Sequence, residues 1–258
     1  MPPESPRHIL GRFDADLESL RDNVLMMASL TERVLNRAAD GLFQRDLDAC
    51  NSVIADDAEI DALEKTIDGD GVQIMVRFQP MAKDLREVVS AMKVSGNLER
   101  VADQAVNIAR RARRLNQSPL LPETATLEPM FRAAIDLFRA SIRSFADRDE
   151  ELARGLKPRD REIDAEHHRV INSLTARMAG DTARIHDYLD LVFVARYIER
   201  IGDHAPPRPR TSATPRLPRR ELERVPWRTK FTCARADCTK RSVWVHRTWK
   251  SCGASTWT

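Results

Sequence analysis

Apolar positions in the first 115 residues recur at steps of three and four, the stripe of amphipathic helices that seek helical partners. Leu17, Leu20, Val24, Met27, Val34 and Ala38 mark a first helix from Asp16, ended by the break around residues 41–46. A second starts near Asp46, runs through Val53, Ile60, Leu63, Ile67 and Ile74, and stops before Pro80. Gly69 and Gly71 weaken its middle by about 1 kcal/mol each, which leaves room for a kink. A third follows Lys83 through Val88, Met92, Leu98, Ala102 and Ala105 to about Arg114. Residues 116–122 read as a linker, because Pro119 and Pro122 break any helix. The pattern then restarts over 130–145, 152–178 (with Pro158 placed early) and 182–205. No sustained period-two alternation signals a strand.

The two halves also match by letter. Asp57-Ala-Glu-Ile-Asp-Ala62 pairs with Asp160-Arg-Glu-Ile-Asp-Ala165, and Leu98-Glu-Arg-Val-Ala-Asp-Gln-Ala105 pairs with Ile198-Glu-Arg-Ile-Gly-Asp-His-Ala205. Each pair falls on the second or third helix of its half. The expected fold is therefore all-α: two tandem three-helix bundle repeats, six long antiparallel helices, over 8–116 and 123–205.

Charge divides the chain differently. The net charge is +3, yet residues 206–258 hold 13 Lys and Arg against 3 Asp and Glu, leaving 29 against 36 in residues 1–205. That last stretch also carries all four Trp and three of the four Cys. An acidic body is joined to a basic, Pro-, Arg- and Trp-rich tail that reads as irregular. With 42% apolar and 31% charged residues, and no uncharged run near the ~18 apolar residues of a spanning helix, a cytosolic protein is expected.

The informative chemistry is carboxylate. Rotation of about 100° per residue puts Asp57, Asp61, Glu64 and Asp68 in one strip of the second helix. Ile60, Leu63 and Ile67 lie a quarter turn away, on the side to be buried. On the third helix Glu99, Asp103 and Asn107 share a face, while Leu98, Ala102, Ala105 and Ala109 point to the core. Where the two helices run side by side, the acidic rows converge on an oxygen-lined groove. Like charges four residues apart cost a few tenths of a kcal/mol per pair, about 0.2–0.5, which a cation offsets. Mg, Mn and Fe(II) accept such oxygen ligands, and Zn joins when a His contributes. The alternative is a solvated face whose acids pair with Arg100, Arg200 and nearby bases. In the second half Asp160 and Asp164 persist, but His167 and Ile171 replace Glu64 and Asp68. His167 is either a nitrogen ligand or a surface histidine with no metal role, so the second site should bind metal more weakly.

Two such repeats, each ending in Glu-Arg-(Val/Ile)-(Ala/Gly)-Asp, with Lys83-Asp-Leu-Arg86 opening the third helix and Phe13-Asp-Ala-Asp-Leu-Glu-Ser-Leu20 in the first, resemble the PhoU family. The resemblance covers about residues 8–205. It implies a cytosolic helical regulator that represses phosphate-starvation signalling, through contact with the phosphate ABC transporter, chiefly its ATPase subunit, and with a sensor histidine kinase. It also implies metal clusters on Asp57/Asp61, Glu64/Asp68, Glu99/Asp103, Asp160/Asp164 and Glu199/Asp203, with divalent or iron-type ions. The departure comes at Ala205: Pro206-Pro-Arg-Pro-Arg210 replaces the expected continuation of the last helix and the equivalent of Asn107. A reading-frame shift or a fused segment would explain it.

Other functions fit less well. A di-metal oxidase needs Glu-x-x-His pairs on core-facing positions, and neither Glu99 nor Glu199 has one. The tail suits nucleic acid or an anionic surface by charge alone, without a recognition motif, so nucleic acid is not expected as a partner. Cys233-x4-Cys238 with His246 and Cys252 has zinc elements at irregular spacing. Cys50 reads as a small core residue. No nucleophile–base pair or Gly-rich phosphate loop is present, so no enzyme is expected. A homodimer suits amphipathic bundles of this kind.

Overall fold

The structure, a computed structural model of the chain, describes residues 6–205. The basic tail and its zinc elements lie outside the described residues. Within them are six α-helices and no strand: α1 (Pro6–Phe43), α2 (Leu47–Phe78), α3 (Lys83–Leu115), α4 (Glu128–Asp147), α5 (Glu150–Gly180) and α6 (Ile185–His204). Short 3₁₀ segments at Pro122–Leu127 and Thr182–Arg184 precede α4 and α6. No described helix is long and apolar enough to cross a membrane.

Local chemistry sets these boundaries. The Asp46 carboxylate accepts hydrogen bonds from the N–H groups of Asp48 (2.9 Å) and Ala49 (3.0 Å), two donors that the first turn of α2 leaves unpaired. Asp149 does the same for α5, accepting from Glu151 and Leu152, both at 2.9 Å. The duplicated unit thus reuses one cap. Gln79 ends α2 in the left-handed region (φ 48°), its N–H donated to the Met75 carbonyl at 3.1 Å.

Three features differ from the sequence pattern. Helix α1 begins at Pro6, about ten residues before Asp16. The extension includes Phe13, which makes an edge-on contact with Phe78 at the end of α2 (centroids 5.4 Å apart). Helix α2 is unbroken at Gly69 and Gly71. Gly71 is buried, and a Cβ there would lie 2.7 Å from Cγ and Sδ of Met92. The glycine admits α3, and that packing offsets its weak helix propensity. Third, the linker closes in the 3₁₀ segment, which starts at Pro122 and buries Thr124 and Leu127.

One core joins both repeats. Leu20, Met27, Ile60, Ile67, Leu98 and Ile108 from the first are continuous with Phe131, Phe138, Leu174, Leu191 and Ile198 from the second. Helix α3 packs on α6, and α1 on α4. Asp190 of α6 is a polar hub on the first seam, accepting from Arg111 and from Arg114 (Nε 3.2 Å, Nη2 2.9 Å). Arg111 also lies 4.2 Å above the Phe193 ring. On the second seam Arg139 Nε donates to Glu32 at 2.6 Å. The repeats place equivalent residues alike: Leu98 and Ile198 are buried, Glu99 and Glu199 half-buried, Asp103 and Asp203 exposed.

Candidate metal centre

In the first repeat the α2–α3 seam brings carboxylates together. Asp57, Asp61, Glu64 and Glu99 are half-buried and Asp103 is exposed. Burial first, then the charges of Asp103, Asp61 and Glu64, pushes the Glu99 carboxyl above its usual value, against Arg100. Asp57 is likewise raised, by burial and then by Asp61 and Asp103, with Arg110 opposing. Asp57 thus feels Asp103, and Glu99 feels Asp61 and Glu64, across the seam. Asp68, also half-buried, is not among the charges that move Asp57 or Glu99, and half-buried Asn107 completes its face of α3 without joining them.

The second repeat draws its donors closer. Asp164 of α5 and Glu199 and Asp203 of α6 each offer an oxygen, and the three lie within 4.8 Å of one another. Among the described residues no other group of three or more His, Cys, Asp or Glu side chains meets that spacing. Asp160, one turn before Asp164, lines a small pocket with Leu137, Ser141, Gly202 and Asp203. A Cβ on Gly202 would lie 3.2 Å from Asp160 Oδ1, so this glycine, where the first repeat has Ala102, leaves room for the Asp160 carboxylate against α6. Glu199 is raised by burial, then by Asp203 and Asp164, against Arg196 and Arg200.

His167 stands beside this trio without belonging to it. Its Nε2 is buried and has no hydrogen-bond partner. Burial, then the neighbouring His168, lowers its pKa, with Asp164 opposing. Burial thus favours the neutral ring, the form that ligates metal.

The donor chemistry fits a divalent cation. Asp57, Asp61, Glu64, Glu99, Asp103, Asp164, Glu199 and Asp203 make no ion pair among the described residues, so Arg100 and Arg200 do not neutralise the rows by contact. Three clustered carboxylate oxygens suit a hard ion and leave positions for water or further oxygens. Counting acids along a row ranks the first repeat higher. The geometry gives the tighter trio to the second, because convergence depends on where two helices place their side chains and not on the number of acids along one of them.

Comparison with known proteins agrees with this architecture. The PhoU domain family model matches residues 24–112 and 127–206. A phosphate-specific transport system accessory protein PhoU homolog of Xylella fastidiosa is 34% identical over 198 residues, covering 77% of this chain and 84% of the relative. The Escherichia coli phosphate-specific transport system accessory protein PhoU is 34% identical over 197 residues, covering 76% and 82%. The crystal structure of PhoU from Pseudomonas aeruginosa superposes with a TM-score of 0.73 at 32% identity, over 75% of this chain and 93% of that one. Duplicated helical trios, paired acidic motifs and these likenesses lead to one conclusion: the chain belongs to the PhoU family.

Proposed function

We propose that this protein is a negative regulator of phosphate uptake and of phosphate-starvation signalling. It acts in the cytoplasm as an adaptor between the phosphate ABC transporter, through its ATPase subunit, and a sensor histidine kinase. The observation that carries this reading is the 34% identity, across both repeats, to proteins named as accessory to phosphate-specific transport. The described residues offer a packed core and carboxylate rows, which suits a protein that works by contact. A cell lacking the gene should express its phosphate-starvation genes in phosphate-rich medium, and the intact gene should restore repression. Normal repression in the deletion strain would remove the reading.

Metal belongs to the same proposal. Asp164, Glu199 and Asp203 hold a divalent or iron-type ion, with Asp160 and His167 as supporting donors and the first-repeat acids as a second, looser site. The bound cation neutralises a repulsive cluster and stiffens the α5–α6 seam. Elemental analysis of purified wild type against Glu199→Gln/Asp203→Asn, and separately Glu99→Ala/Asp103→Ala, tests each site. The first pair should remove most of the bound metal and the second pair less. Equal content in all three proteins would eliminate both sites. The homodimer expected from the sequence is checked on the same material by sedimentation.

A further inference from the structure

The α2–α3 turn carries a feature that neither the core nor the carboxylate rows explain. Met81 is 80% exposed and Val76 is 72% exposed, with Val72 and Leu85 also open to solvent on the flanking helices. Arg77, Lys83 and Arg86 are exposed around them and make no ion pair among the described residues. An apolar tip, flanked along the chain by three exposed cations and one half-buried acid, Asp84, thus lies at the end of a hairpin in a body whose balance is acidic.

The turn is also held in a fixed shape. Gln79 is left-handed (φ 48°, ψ 53°), and Ala82 sits at φ 50°, ψ −98°, a region that L side chains rarely adopt. Backbone hydrogen bonds brace it: Gln79 N–H to Met75 O (3.1 Å), Asp84 N–H to Met81 O (3.2 Å) and Arg86 N–H to Ala82 O (3.3 Å). The corresponding α5–α6 turn of the second repeat shares only part of this feature. Ile185, equivalent to Leu85, is 38% exposed, but Asp181 and Thr182 occupy the connection and Arg177 before them pairs with Glu123 at 3.5 Å. A duplicated unit that folds without Val76 and Met81 in one copy shows that the fold does not require them in the other.

From this we infer that the Val76–Met81 tip is a docking knob for a protein partner, fitting a pocket with an apolar floor and an acidic rim. Charge complementarity selects the rim, since Arg77, Lys83 and Arg86 would face carboxylates in the complex. The braced turn favours a shaped protein pocket over a lipid surface, because a bilayer imposes no fixed turn geometry and a preorganised knob loses little entropy on seating. Met adds a flexible, polarizable side chain that fills an irregular pocket. The inference rests on the adaptor reading, and it assigns that reading a surface.

The test uses the full chain with the purified ATPase subunit and the purified cytosolic part of the kinase, by surface plasmon resonance. Met81→Asp should weaken binding to at least one of them tenfold or more. Lys83→Glu should weaken the same interaction and reduce its salt dependence, and an acid in the first turn of α3 favours the helix. Both variants should keep the wild-type melting temperature, because neither side chain is buried. Wild-type affinity in both variants would overturn the knob and leave the adaptor reading standing. Absence of wild-type binding to either partner would overturn the adaptor reading and the knob with it. Co-sedimentation of wild type with vesicles of 30% phosphatidylglycerol, lost in Met81→Asp, would reassign the tip to a membrane and overturn the pocket.

Discussion

Glu199 illustrates what a single carboxylate does in this fold. Burial and the neighbouring Asp203 and Asp164 raise its pKa in the folded state above the unfolded value. The folded protein therefore favours the protonated form. The penalty is absent below the unfolded pKa, grows as pH rises through the folded one, and is full at neutral pH. A glutamine removes it without changing shape. Metal-free Glu199→Gln should be more stable than wild type at neutral pH by a few tenths of a kcal/mol, about 0.2–0.5, and the two should coincide near about pH 4. Adding Mn(II) at neutral pH should reverse the order by stabilising wild type more. Thermal melts at both pH values, with and without the ion, read all three effects, and a metal-free variant less stable than wild type would contradict them. The acids themselves were legible in the sequence, since a step of four residues fixes a helix face. Which repeat draws three of them within 4.8 Å was not, because spacing along one helix does not contain the placement of its neighbour.

At the scale of helices, periodicity located every one of them, and the errors lie where a neighbour decides. The caps Asp46 and Asp149 could be placed from local chemistry alone. The length of α1 could not, because Phe13 extends it to meet Phe78 on another helix. Gly71 reads as a weak point along α2 and works as a contact point against Met92. Gly41 makes the same argument testable. A Cβ there would lie 2.5 Å from the Cys50 sulfur and 3.4 Å from the Asp46 carbonyl. Cys50 is fully buried, and its thiol is pushed up to about 11, mainly by burial, as suits an inert packing residue. Gly41→Ala gains about 1 kcal/mol of helix propensity but forces a shift worth about 1–3 kcal/mol, so a net loss near 1 kcal/mol is expected. In a Cys50→Ala background the sulfur is gone and the same substitution should become neutral or stabilising. Urea melts of the four proteins form a double-mutant cycle, and additive effects would reject the proposed clash.

For the whole molecule the question is whether two copies of one unit behave as two bodies. The duplicated letters predict two bundles, and the described residues have joined them through one continuous core. The polar contacts follow that union. Asp190 gathers Arg111 and Arg114 from the other repeat, while Arg45 donates to the Asn116 and Ser118 carbonyls at 2.7 and 2.8 Å and ties down the connection between repeats. The Asp190 pairings cross from one repeat to the other, so no internal comparison of the sequence announces them. Removing Asp190 leaves Arg111 half-buried over Phe193 without a carboxylate partner, Tyr197 remaining beside it. Asp190→Ala should therefore cost about 2 kcal/mol. The shared hydrophobic core stays intact in that variant, so unfolding should remain a single transition whose midpoint falls while its steepness is preserved. If the proposed metal site holds, metal content should be unchanged, because Asp190 is not one of the Asp164, Glu199 and Asp203 trio. Two resolved transitions in denaturant would instead mean that the ionic hub, and not the buried apolar cluster, makes the repeats one body.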